Sequence, residues 1–145
     1  MIQNYFGLEN KDGFYVTQVI TGTQAQVNTN YGVFFIAKNP CEILKVSLVY
    51  AVTNGGEFTL DVEKLTGTTA PGSGTTVLAS QFDLNSTANT VYERKGTTLT
   101  SVSKGRTLKE NDRLALKPTA TGGYVNISEV CVSIYLRPLG KGHYS

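Results

Sequence analysis

Between Phe34 and Leu78 apolar and polar residues alternate with a period of two, and this narrows the possible folds more than any other feature. Leu44, Val46, Leu48, Tyr50 and Val52 share one face, with Lys45 and Ser47 on the other. After Thr53-Asn54-Gly55-Gly56 the pattern resumes, with Phe58, Leu60 and Val62 on one side and Glu57, Thr59, Asp61 and Glu63 opposite. Side chains alternate across a strand, so this period means one buried face and one wet face. Asn-Gly and Gly-Gly supply the positive φ values that tight hairpin turns require. The pattern predicts an antiparallel hairpin lining one wall of a β core.

The rest of the chain reads the same way. Phe14 to Ile20 and Thr23 to Val27 are expected as short strands broken at Thr21-Gly22. Tyr31 to Ala37 is a continuous apolar run that fits a buried strand, ended by Lys38-Asn39-Pro40 because proline cannot donate to a ladder. Thr66 to Thr76 is a glycine-rich loop. It lacks the Gly-Lys-Ser/Thr and the following helix of a phosphate-binding loop, which leaves a surface excursion between strands. Val77 to Leu84 alternates again, Thr90–Tyr92 and Thr98–Val102 are short strands, and Arg106–Leu108 is a further candidate. Asn111-Asp112 turns into Arg113–Lys117. The last strand, Tyr124 to Leu136, shifts its apolar parity at Ser128-Glu129, which predicts a β-bulge. No segment carries a helical apolar stripe.

The expected fold is therefore all-β. It is an antiparallel β-sandwich of jelly-roll type with about eight to ten strands and little or no helix. Residues 1–30 hold an N-terminal arm and the first strands, a possible attachment segment; 31–138 form the sandwich, and 139–145 a polar tail. At 145 residues the chain can bury a core without staples. Cys41 and Cys131 are too few for a disulfide framework and lack metal-site spacing. Buried free thiols are the plainer reading, and a Cys41–Cys131 disulfide in an assembled particle the sharper one.

Several functions are excluded or disfavoured. The net charge of +2 gives no general attraction to nucleic acid. No apolar run approaches the roughly 20 residues of a membrane span. The opening Met1-Ile2-Gln3-Asn4-Tyr5-Phe6 lacks the regions of a signal peptide, so synthesis in a host cytoplasm is expected. The single histidine, His143, lies in a Gly-Lys-Gly-His-Tyr tail, a poor place for a base that must be rigidly oriented. Glu57, Asp61 and Glu63 share a strand face, yet a hard-cation site needs six or more converging oxygens. They are expected to form a solvated outer face. No cofactor, metal or enzymatic activity is assigned.

Two segments are candidates for contact with a partner. One is the arm, through Tyr5 and Phe6. The other is a basic strip, since seven of the thirteen Lys and Arg residues fall between 94 and 117. Its candidate contacts are Arg94, Lys95, Lys104 and Arg106, which either face an acidic partner or serve as edge-strand charges that block aggregation. Tyr124 beside Gly122, Gly123 and Asn126 is the one local group that hints at sugar binding.

Four ordered segments carry a resemblance to a known family. They are Phe34–Ile43 (FFIAKNPCEI), Leu60–Thr68 with Ala70–Thr75 (LDVEKLTGT and APGSGT), Leu108–Leu116 (LKENDRLAL) and Val130–Pro138 (VCVSIYLRP). In this order they are similar to small jelly-roll virion proteins of tailed bacteriophages, which decorate capsids or form the base of head fibres. Where that family usually has glycine before Asp-Arg-Leu, this chain has Asn111, which also adopts the left-handed region. The resemblance implies a non-enzymatic structural protein, trimeric, on the outside of the capsid and bound to the major capsid protein. It implies no nucleic-acid, membrane or small-molecule partner. The alternative is a glycan- or receptor-binding module of a fibre, tail or baseplate.

Overall fold

The computed structural model describes residues 13–25, 31–51, 57–121 and 126–140. They form two packed five-stranded antiparallel sheets. The first joins β1 (Phe14–Ala25), β10 (Asn126–Pro138), β3 (Cys41–Val49) and β7 (Tyr92–Lys95) in that order, with β8 (Thr107–Leu108) also on β3. The second joins β2 (Tyr31–Ile36), β9 (Arg113–Thr121), β4 (Glu57–Leu65) and β5 (Thr75–Thr76), with β6 (Phe82–Asp83) also on β4. The chain thus runs as strand pairs β1/β10, β2/β9, β3/β7–β8 and β4/β5–β6 that alternate between the sheets. This is the rolled-up double ribbon of a jelly roll.

The expected β3–β4 hairpin does not form. β3 pairs with β10, β7 and β8, while β4 pairs with β9, β5 and β6 across the sandwich. Two strands with strong apolar faces can satisfy them by facing each other across a core as well as by lying side by side. Here Val46, Leu48, Val132 and Ile134 of one sheet meet Leu60, Val62, Leu114 and Leu116 of the other, all fully buried. Each such burial contributes about 1.5–3 kcal/mol, so the facing arrangement is strongly favoured once the sheets meet.

The bulges follow the sequence in part. Glu129 sits at φ 51°, and the β1–β10 register skips between Ile20 and Thr23, placing the extra residue on β1 opposite Glu129. The two short strands expected from 14 to 27 are accordingly one strand with a bulge. A second bulge, on β3, lies where Tyr135 pairs Lys45 but Leu136 pairs Ile43. It turns Leu44 half outward and sends Ile43 and Cys41 into the core, so the apolar face changes parity there. Thr98–Val102 is not a strand. Gly96 at φ 56° opens a single 3₁₀ turn (Gly96–Thr98), closed where the Thr98 hydroxyl donates to the Lys95 carbonyl at 2.8 Å and accepts from the Lys95 N–H at 2.7 Å. A π-type turn at Val102–Arg106 follows. Val77–Leu84 pairs only at Phe82–Asp83 and a lone Leu78–Leu99 bridge. β2, expected to be buried, is an edge strand whose register on β9 breaks twice, leaving Val33 and Ile36 exposed.

A Cys41–Cys131 disulfide is excluded within one chain. Cys41 lies opposite Pro138, seven residues along β10 from Cys131. At about 3.4 Å per residue that is about 24 Å, far beyond the roughly 7 Å limit for a bridge. Both thiols are free, and burial first, then the neighbouring Asp112 carboxylate, pushes Cys41 up to about 11.

Candidate interaction surface

The acidic face of β4 is covered, not solvated. Glu63 is 1% exposed and Asp61 6%, while Glu57 stays exposed. Residues 66–76 fold back over this face because Glu63 accepts two backbone hydrogen bonds. Gly72 N–H donates to Oε2 at 2.6 Å and Gly74 N–H to Oε1 at 2.8 Å. Asp61 Oδ1 accepts the Thr76 hydroxyl at 2.6 Å and the Val62 N–H at 2.8 Å. Burial outweighs these bonds and raises the Asp61 pKa. Arg113 holds the start of the same loop, its Nη2 donating to the carbonyls of Gly67 and Thr69 at 2.9 and 3.0 Å. Glycine is required where the loop meets the sheet, since a Cβ on Gly74 would fall 2.6 Å from both Leu65 Cδ2 and the Lys64 carbonyl oxygen. The three acids therefore do not form a cation site, and among the described residues no group of three His, Cys, Asp or Glu is arranged to hold a metal.

The basic strip separates into fixed and free cations. β7, the π-type turn and β8 all line one edge of the first sheet, which brings Arg94, Lys95, Lys104 and Arg106 to the same side of the molecule. Arg94, however, turns inward. Its Nε and Nη2 donate to the Ser80 and Gln81 carbonyls at 3.0 Å each, and its guanidinium lies 4.5 Å from the Phe82 ring centroid. Arg106 is half-buried, 3.4 Å from Glu42 Oε2, and Glu42 also takes Arg137 at 2.6 Å. Lys64 from the opposite sheet donates to the Lys104 and Thr107 carbonyls at 2.6 and 3.1 Å and fixes the turn. Lys95 and Lys104 project into solvent, with Glu93 3.5 Å from the Lys95 ammonium. Of the four sequence candidates here, these two are free to meet a partner. Tyr5 and Phe6 lie outside the described residues, as do His143 and the Gly122–Tyr124 part of the sugar-binding candidate.

The other side of the sandwich has the opposite character. Among the described residues, five of the seven exposed large apolar side chains lie on β1 and β2: Phe14, Tyr15, Val19, Val33 and Ile36. Phe14 packs against Phe35 at 6.1 Å between ring centroids, which ties the two edge strands together. Beside them is a small apolar cavity of about 180 Å³ bounded by Ile36, Pro40 and Pro138. On the outer face of the first sheet Tyr15 rests on Tyr135 at 4.7 Å. The signal was present in the sequence, since residues 13–37 contain no charged side chain. A search for chemistry in charged residues passes over it.

No protein family model and no curated protein matches the chain. Among solved structures it is similar to the infectious bursal disease virus Gx strain structure, at 12% identity and a TM-score of 0.39, over 96% of this chain and 42% of that one. A second likeness is to a subunit from "Bacillus endospore appendages form a novel family of disulfide-linked pili", at 10% identity and a TM-score of 0.36, over 95% of this chain and all of that one. A third is the VP2 subviral particle of infectious bursal disease virus, at 13% identity and 0.36. The chain spans less than half the length of the viral chains it matches.

Proposed function

We propose that this protein is a structural component of a phage virion, attached to the outside of the capsid through the major capsid protein and reinforcing the shell. What carries the reading is how its polar side chains are used. Glu63, Asp61, Arg94, Arg106 and Arg113 are bound to loops and strands of their own domain. Buried, hydrogen-bonded carboxylates and half-buried guanidinia stiffen loops, which suits a part that bears load. The four segments similar to phage virion proteins support it further. In the fold they supply the end of β2 with the start of β3, β4 with its covering loop, β8 with β9, and the end of β10. Lys95 and Lys104 provide a free cationic edge for an acidic capsid surface, and a trimer is the assembly the family likeness favours.

Co-sedimentation with capsids assembled without the protein tests this. Binding is expected, weakened by Lys95→Glu with Lys104→Glu and by added salt. Failure to co-sediment, together with binding on a glycan array, would replace it with the receptor-binding alternative.

A further inference from the structure

We propose that β1 is a pairing edge, which joins two copies of this chain by antiparallel β1–β1′ addition about a two-fold axis through Thr17. Among the described residues β1 pairs only with β10, so its other side presents a row of backbone donors and acceptors. Such edges are normally blunted by charge, proline, bulges or shortness. The remaining edges among the described strands follow that rule. β7 is four residues long and carries Glu93, Arg94 and Lys95; β5 and β6 are two residues each; β2 breaks register twice. β1 keeps unbroken register from Phe14 to Ile20 and has neither charge nor proline.

The occupant is a second copy because the edge is self-complementary. Antiparallel pairing about a two-fold must keep outward residues opposite outward residues, since a one-residue slip would invert the faces. Centring on Thr17 satisfies this and uses all seven bulge-free residues. Tyr15 then lies opposite Val19′, and Phe14 opposite Ile20′. Tyr15 and Val19 are 61% and 50% exposed in the single copy, and an aromatic beside a β-branched residue is a favourable cross-strand pair. Each copy's exposed Phe14 thus gains an apolar neighbour in Ile20′, and no residue from 13 to 37 brings a charge to the seam.

The proposal does not depend on the capsid reading, and its test needs no capsid. The 145-residue chain of 15.7 kDa is weighed in solution by light scattering or sedimentation equilibrium. The mass is expected to be an even multiple of the chain, two or, if trimers pair, six. Val19→Lys is expected to halve that mass while circular dichroism and the melting temperature stay native. Val91→Lys, at an exposed position before the opposite edge, is expected to leave it unchanged. Thr17→Cys with Cys131→Ser is expected to yield a reducible covalent dimer on mild oxidation. An odd multiple for the native protein overturns the proposal, as does an even one that Val19→Lys leaves intact, or a Thr17→Cys protein that does not cross-link.

Discussion

Replacing Glu63 by alanine tests whether the glycine-rich loop is a fixed part of the sandwich. The side chain accepts two backbone N–H groups from the loop, at 2.6 and 2.8 Å, from a position 1% exposed. A hydrogen bond to a charged group contributes about 1.5–3 kcal/mol net. The loop can swing out and return Gly72 and Gly74 to water, so the loss should fall short of twice that, at about 2–4 kcal/mol. For a domain of this size this lowers the melting temperature by roughly 5–15 °C. Glu63→Gln should lose about half as much by the same bond energies, because its amide oxygen accepts one N–H while its NH₂ faces the other. Urea unfolding gives the energies, with an unchanged slope showing that the unfolded state is the same. Limited proteolysis gives the location, and cleavage of Glu63→Ala should appear first between residues 66 and 76. A loss under about 0.5 kcal/mol, within the range of an ordinary surface substitution, would refute the account.

Other predictions follow from the same geometry. The Asp61 carboxyl has a folded pKa above its ordinary 3.8, so the folded state holds this proton more tightly. Its contribution to stability therefore falls as pH rises from about 3.8 through the folded value, and is flat above it. Asp61→Asn should remove that slope and be at least as stable as the native protein at neutral pH; a less stable variant there would show that the ionised form is favoured. Native protein at pH 8 should react with a thiol reagent at half-buried Cys131 and not at Cys41, whose thiol is pushed up to about 11 by burial. Mass spectrometry of labelled peptides reads this directly. Arg94→Ala should cost about 1–3 kcal/mol through its lost carbonyl and ring contacts, whereas Lys95→Ala and Lys104→Ala should each stay within about 0.5 kcal/mol. Charge reversal at Arg94 or Arg106 would confuse folding with binding, so the lysines are the clean probes of a partner.

The local backbone of this protein was legible in its sequence. Period two marked β3, β4 and β10, because strand pleating is a property of consecutive residues. Asn111 stands at φ 73° where a glycine would be expected, and Gly67 and Gly72 take the positive φ their loop needs. Glu129, at φ 51°, stands at the bulge, although the extra residue is on β1 and not on β10. Such features depend on one or two residues and their φ preferences.

Partnership was not legible, because it depends on residues far apart in the chain. Alternation says that β3 and β4 each have an apolar face. It does not say whether those faces lie side by side or meet across a core, and packing between sheets chose the second. The acids of β4 point away from the core, as their parity requires. Glu63 and Asp61 are nonetheless buried, because the loop that follows brings the Gly72 and Gly74 N–H groups to Glu63 and the Thr76 hydroxyl to Asp61. The basic strip divides for a similar reason, since Arg94 finds carbonyls 13 and 14 residues away while Lys95 stays exposed beside Glu93. The sequence by itself determined where this chain could be a strand and where it had to turn. The tertiary structure alone decided which strands met, which charges were consumed and, among the described residues, which strands lie at the sheet edges, because burial and hydrogen bonding are settled by neighbours in space.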